Sequence, residues 1–268
     1  MSVRSYLWVL PLITSFMCCA ACVIPYIIGT SLGHLPVFLP YISDGGAYPP
    51  ESCIFSFLLN LSALMILLVV LVKHAIFTEF YSPRRLENWS TNVSLVSIIF
   101  GFLMAFGLAG VGNFGELEEQ IVHDIFALIA FCFGSVYVLL VTSLSFLHPR
   151  SCSLPVAILR VLLFLVGVVS LFFYELSKQL DLFMPEGYTV HDKAPKTKVE
   201  FFTPDSPYYV NHLVITGSEW LLAFSSFLFF ATFVEEFRKA SFGFPHIQLH
   251  DTHRIHVEDG QEPGEIKF

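Results

Sequence analysis

Six stretches of this chain, at about residues 6–29, 52–76, 94–112, 121–147, 154–175 and 209–235, run for about twenty residues or more almost without charge. A bilayer core about 30 Å thick is crossed by ~20 apolar residues in a helix. In hydrocarbon the backbone satisfies its own hydrogen bonds only as a helix or a closed barrel. The pattern therefore predicts an all-α polytopic membrane protein, a bundle of six transmembrane helices. Composition agrees, with 55% hydrophobic and 13% charged residues, where a soluble domain carries about 25% charge. Residues 1–237 are committed to the bundle and 238–268 are read as a disordered cytosolic tail. No length remains for a separate catalytic domain, so any chemistry has to lie inside the bundle. The first stretch is longer than the ~7–15 apolar residues of a signal peptide and is expected to stay as a span.

Lysine and arginine are retained on the cytosolic side. With the N-terminus cytosolic, that side collects Arg4, Lys73, Arg84, Arg85, Arg150, Arg238, Lys239, Arg254 and Lys267, and the other side only Lys178, Lys193, Lys196 and Lys198. Both termini are thus expected in the cytosol. A net charge of −8 gives no support to nucleic-acid binding, which needs a basic patch. The six cysteines lie mostly in apolar runs and read as small packed hydrophobes rather than a disulfide framework. Cys152, in a short polar loop, is open to a second reading as a palmitoylation site.

Between spans one and two lies "LPYISDGGAYPPES", residues 39–52. Its prolines cannot continue a helix, and Gly45-Gly46 after Asp44 suits a tight turn, so a compact loop against the outer membrane face is expected. Polar groups at membrane depth cost a few kcal/mol and each calls for a reason. Asn60 and Glu219 lie some two turns into spans two and six from the outer side, and His123 and Asp124 stand at the outer mouth of span four. His212 and Glu219, seven apart, share a helix face. If spans two, four and six meet, these residues form one outward-facing pocket. Three readings stay open: hydrogen-bonded glue between helices, contact with a lipid or other ligand, and a metal or hydrolase site. No span carries a paired metal-ligand spacing, and neither metal nor cofactor is expected. Arg160, two turns into span five from the inner side, reads as a side chain reaching inner-leaflet phosphates, with a carboxylate inside the bundle as the alternative. "FSSFLFFATFVEEF" (224–237) reads as lipid-facing and bundle-filling surface. The small residues Gly101, Ala105 and Ala109 form a ridge for helix contact.

"GHLPVFLPYISDGGAYPPESCIFSFLLNLSA" (33–63), "VGNFGELEEQIVHDIFALIAFCFGSVYVLL" (111–140) and "YYVNHLVITGSEWLLAFSSFLFFATFVEEFRKASF" (208–242) resemble the damage-regulated autophagy modulator family, within the wider Frag/DRAM/Sfk superfamily of six-span proteins. The most specific element is P-Y-I-S-D-x-G followed by P-P-E-S. The resemblance places the family's loop signature on Pro40, Tyr41, Ile42, Ser43, Asp44 and Gly46, and its intramembrane polar residues on Asn60, His123, Arg160 and Glu219. It implies a non-enzymatic membrane regulator of autophagy and lysosomal function, linked to cell death. That regulator would sit in lysosomal or endosomal membranes, with the plasma membrane or another endomembrane as the alternative. Membrane lipids are the expected partners, bound at Tyr41, Asp44, Asn60, His123, Asp124, His212 and Glu219, with protein partners at the cytosolic loop and tail. The opposing expectation is a lipid-modifying enzyme or lipid transporter built on the same pocket.

Overall fold

Each apolar stretch forms a helix, and the helices are followed by polar or proline-containing connections where the chain leaves the apolar slab. The computed structural model describes residues 6–81, 88–190 and 196–241. It contains α1 (Val9–Leu32), α2 (Glu51–Tyr81), α3 (Asn88–Asn113), α4 (Gln120–Leu147), α5 (Leu154–Gln179), α6 (Tyr209–Ala231) and the single turn α7 (Val234–Phe237). Six helices are long and apolar enough to cross a membrane. The described residues contain no strand. Arg84, Arg85, Lys193 and the tail beyond residue 241, with its histidines, lie outside the described residues, as does the Asn88 side chain.

Consecutive helices pack side by side, and α1 also packs on α6, so the six spans close into a ring. Outward faces carry large apolar side chains such as Phe16, Phe57, Ile99, Ile125 and Phe172, as a lipid-facing surface requires. Inward, one cluster joins Ile66 and Val70 of α2, Ala105 of α3, Tyr137 of α4 and the phenylalanines of α6 and α7. The phenylalanine run of α6 fills the bundle: Phe227, Phe229, Phe230, Phe233 and Phe237 are all buried, and Phe230 stacks on Tyr137. α3 approaches the α4 backbone tightly at Gly107, where a Cβ would stand 2.5 Å from the Ala130 backbone nitrogen. Within the small-residue ridge, Gly101 instead faces Val70 of α2 and Tyr137.

Arg160 does not reach phosphates. Its side chain is wholly buried and forms a two-pronged pair with Glu236, Nη1 to Oε1 at 2.8 Å and Nη2 to Oε2 at 2.9 Å. Its Nε donates to Thr232 Oγ1 at 2.9 Å, and Nη2 also donates to the Thr232 carbonyl at 3.1 Å. A buried guanidinium needs a carboxylate and filled donor positions, so the carboxylate alternative holds. The capture of the Thr232 carbonyl falls where the last span breaks, between α6 and α7. Cys152 is buried, with Arg160 Nη1 donating to its Sγ at 3.5 Å, which removes it from the surface that a palmitoylation site needs. All six cysteines are free thiols.

Candidate functional site

At the end of the ring opposite the start of α1 and the end of α7, the 33–50 connection folds inward over the helices. It leaves α1 at Gly33, whose left-handed φ of 77° turns the following His34 amide back onto the Gly29 carbonyl. It then tucks a short 3-10 turn, Ser43–Gly46, into the mouth of the bundle, where Asp44 is 1% exposed. Gly45 and Gly46 lie in ordinary right-handed backbone, and positive φ does not explain them. Space does: a Cβ on Gly45 would sit 3.0 Å from the Pro25 Cβ, and one on Gly46 would sit 2.9 Å from the Phe55 ring.

The loop is held by partners from distant parts of the chain. Glu219 of α6, 6% exposed, accepts a hydrogen bond from the Ile42 amide at 2.9 Å, and the next residue, Trp220, donates from its indole to the Pro40 carbonyl at 2.8 Å. Tyr26 of α1 donates to the Val37 carbonyl at 2.7 Å, and His34 meets the buried Glu51 at the start of α2 at 2.6 Å. Asp44 caps its own turn by accepting from the Tyr41 amide at 3.0 Å. Lys196, from the long α5–α6 connection, donates to Asp44 Oδ1 at 2.7 Å and to Glu116 Oε2 at 2.8 Å, while Ser43 donates to that same Glu116 oxygen at 2.8 Å. One lysine thus ties together all three connections at this end, with its ammonium 4.6 Å from the centre of the Tyr41 ring.

Two carboxylates and one ammonium at close quarters cannot all keep their ordinary affinities. Burial pushes Asp44 up to about 6, against the pull of Lys196. Glu116 moves the other way, because Lys196 and the Ser43 hydroxyl outweigh its burial. Burial disfavours the Lys196 charge, but the two carboxylates hold it above its ordinary value. Burial also keeps the Tyr41 phenol neutral.

Beneath this cap lies a cavity of about 630 Å³. Its mouth is lined by Tyr41, Glu116, His123, Asp124, Lys178 and Lys196, its wall by Glu219, and its floor by apolar side chains including Leu59, Phe131 and Phe227. Of the residues expected from the sequence, Tyr41, His123, Asp124 and Glu219 line one cavity. Asp44 sits in the cap beside it, and His212 stacks edge-on against Tyr41 with 5.2 Å between ring centres. Asn60 is elsewhere: it forms a reciprocal amide pair with Asn113 of α3, at 3.1 and 3.0 Å. α2 packs on α1 and α3, and α4 makes only a lesser contact with α6. Spans two, four and six meet through their inward side chains in the centre of the ring, and the cap encloses the polar residues there in one cavity. His123 is fixed by a 2.7 Å contact between its Nδ1 and the Phe114 carbonyl. Asp124 accepts from Lys178 at 2.9 Å.

Glu116, Lys178 and Lys196 belong to the site but were not singled out by the sequence, whereas Ser43 lies within the loop signature. Glu116 is one acid among several in "GELEEQ", and Lys196 one lysine among several in "KAPKTK". Only Lys178 carried a signal, as a cation in the last turn of α5. Among the described residues no three His, Cys, Asp or Glu side chains group as a metal site.

A ring of six apolar helices, capped at one end over an amphipathic cavity, defines a polytopic membrane protein with a sheltered polar site at one end of the bundle. The model of the Frag1/DRAM/Sfk1/Cwh43P N-terminal domain matches residues 6–240, and the chain belongs to that family. It is 33% identical to the human DNA damage-regulated autophagy modulator protein 1, over 83% of this chain and 87% of the relative. It is 32% identical to the rat DNA damage-regulated autophagy modulator protein 2, over 82% and 79%. The zebrafish modulator of macroautophagy TMEM150B matches over a shorter stretch, 30% identical over 44% of this chain and 48% of the relative. No solved structure matches the chain.

Proposed function

We propose that this chain is a membrane regulator of autophagy that works in lysosomal or endosomal membranes by non-enzymatic recognition of a membrane lipid in the capped cavity. The names of its relatives support the autophagic role. The recognition reading is carried by one observation: Glu219, a carboxylate buried at membrane depth, lines the cavity while a backbone amide of the cap holds one of its oxygens. An ionisable group in so costly a place is retained where it contacts something. The ionisable groups around it are engaged in pairs, which favours binding over turnover. A polar mouth above an apolar floor also suits a lipid passing through, and this keeps transport or lipid modification as the second reading.

The test compares wild type with Glu219→Gln by native mass spectrometry of the purified protein, alongside autophagic flux in cells. Glutamine still accepts the Ile42 amide hydrogen bond, so the melting temperature should hold. A defined co-purified lipid is expected on wild type and lost from the variant, with flux lost in parallel. Retained lipid and normal flux in a stably folded variant would refute the proposal. Turnover of the bound lipid by wild type would establish the second reading.

A further inference from the structure

We infer that the opposite end of the bundle, where α1 starts and α7 ends, binds a phosphate-bearing molecule in a cavity built around Lys73. This inference stands apart from the capped site, since it uses other residues at the other end of the ring. The cavity measures about 790 Å³ and is lined by α2, the α4–α5 connection, α7 and the residues that follow α7. At its inner wall lie Lys73 and Glu236, and behind Glu236 the buried Arg160. Arg160 occupies both oxygens of Glu236, and Lys73 shares one of them, Nζ to Oε1 at 3.0 Å.

The two cations differ in how far they are satisfied. Besides Glu236, the Arg160 guanidinium donates to Thr232 and to Ser145 Oγ at 2.7 Å. The Lys73 ammonium has three donors. Glu236 takes one, and no other acceptor meets Lys73 among the described residues, although its side chain is only 11% exposed. An ammonium so sheltered needs charge-balancing acceptors, and the face it lines is the cavity. Two further observations agree. The rim adds Arg150 and Lys239 against Glu79, and Lys239 is itself held by Glu235 at 3.2 Å and by the Ser151 carbonyl at 3.1 Å. Ser151 lines the cavity as well, and its buried hydroxyl has no hydrogen-bond partner among the described residues.

A site with excess positive charge, an under-used ammonium and a neighbouring hydroxyl takes an anion with several acceptor oxygens. Phosphate supplies these, and the volume leaves room for the organic group that carries it. The cavity lies at the bundle end that lysine and arginine assign to the cytosol. A lipid phosphate and a soluble organophosphate share the required chemistry.

The experiment is native mass spectrometry of the full chain in neutral detergent, titrated separately with phosphatidic acid, phosphatidylcholine and sn-glycerol 3-phosphate. The variants are Lys73→Met, Lys73→Arg and Arg150→Gln. Arg150 is exposed, so its variant tests the cavity without touching the buried network. Wild type should prefer phosphatidic acid over phosphatidylcholine by about tenfold or more. Lys73→Met should lose that preference, Lys73→Arg should keep it, and Arg150→Gln should weaken it several-fold, the scale of charge-assisted hydrogen bonds. Binding of glycerol phosphate as tight as that of phosphatidic acid assigns the site to soluble organophosphates, and much weaker binding assigns it to the lipid. Both outcomes support the phosphate site. Equal affinity of wild type for both lipids, with no glycerol phosphate bound, would overturn it. Undiminished phosphate binding by both Lys73→Met and Arg150→Gln would do the same.

Discussion

Replacing Lys196 with methionine would remove the one group among the described residues that bridges all three connections at the capped end, while keeping the length of the side chain. In the wild-type protein its ammonium, in a side chain 7% exposed, lies 2.7 Å from Asp44 and 2.8 Å from Glu116, whose side chains are 2% and 11% exposed. Deleting one partner of a buried pair leaves uncompensated charge and costs about 3–5 kcal/mol. Here the cost depends on pH, because the stranded carboxylates can take up a proton. Asp44 is already raised from 3.8 to about 6. Between those values the folded state holds a proton that the unfolded state has released, so its contribution to stability falls as pH rises through that window. Without Lys196 the folded-state value climbs further. Each added unit returns about 1.4 kcal/mol once the pH lies below the wild-type value. Thermal unfolding of the purified variant should show the full loss at about pH 8 and a loss smaller by at least about 1.4 kcal/mol at about pH 5. An equal loss at both pH values, or none at about pH 8, would refute the view of Lys196 as the charge that holds the cap.

Three further expectations concern the bundle. Glu236→Gln strands Arg160 and Lys73 as buried cations and should cost about 3–5 kcal/mol, read as a lowered melting temperature that salt does little to restore. Gly107→Ala would drive a methyl group to 2.5 Å from the Ala130 nitrogen and 2.8 Å from the Phe126 carbonyl. The resulting separation of α3 from α4 should destabilise by about 1–3 kcal/mol, and a variant as stable as wild type would show that the approach is looser. Asn60→Ala and Asn113→Ala should be coupled by about 0.6–1.7 kcal/mol in a double-mutant cycle. Additive effects would mean that the amide pair contributes nothing.

By itself the sequence determined the number of spans and the all-helical class, because hydrocarbon imposes the same demand on every spanning segment and the demand is written as local composition; the family showed through a resemblance carried by motifs such as P-Y-I-S-D-x-G. It also marked Tyr41, Asp44, His123 and Glu219, since a polar group beside or within an apolar run stands out against its neighbours. The tertiary structure alone decided what those groups meet. Glu219 is held by the Ile42 amide, 177 residues away in the chain, and no side-chain pattern records a backbone donor. Lys196 was chosen from a run of lysines by how the long connection folds back, and Glu116 from a run of acids by where the short one ends. Arg160 turned inward to Glu236 because ring closure placed α5 beside α6 and set a carboxylate within reach. Spans are legible one at a time because burial in lipid depends on each segment alone, whereas pairing of buried charges depends on which segments become neighbours.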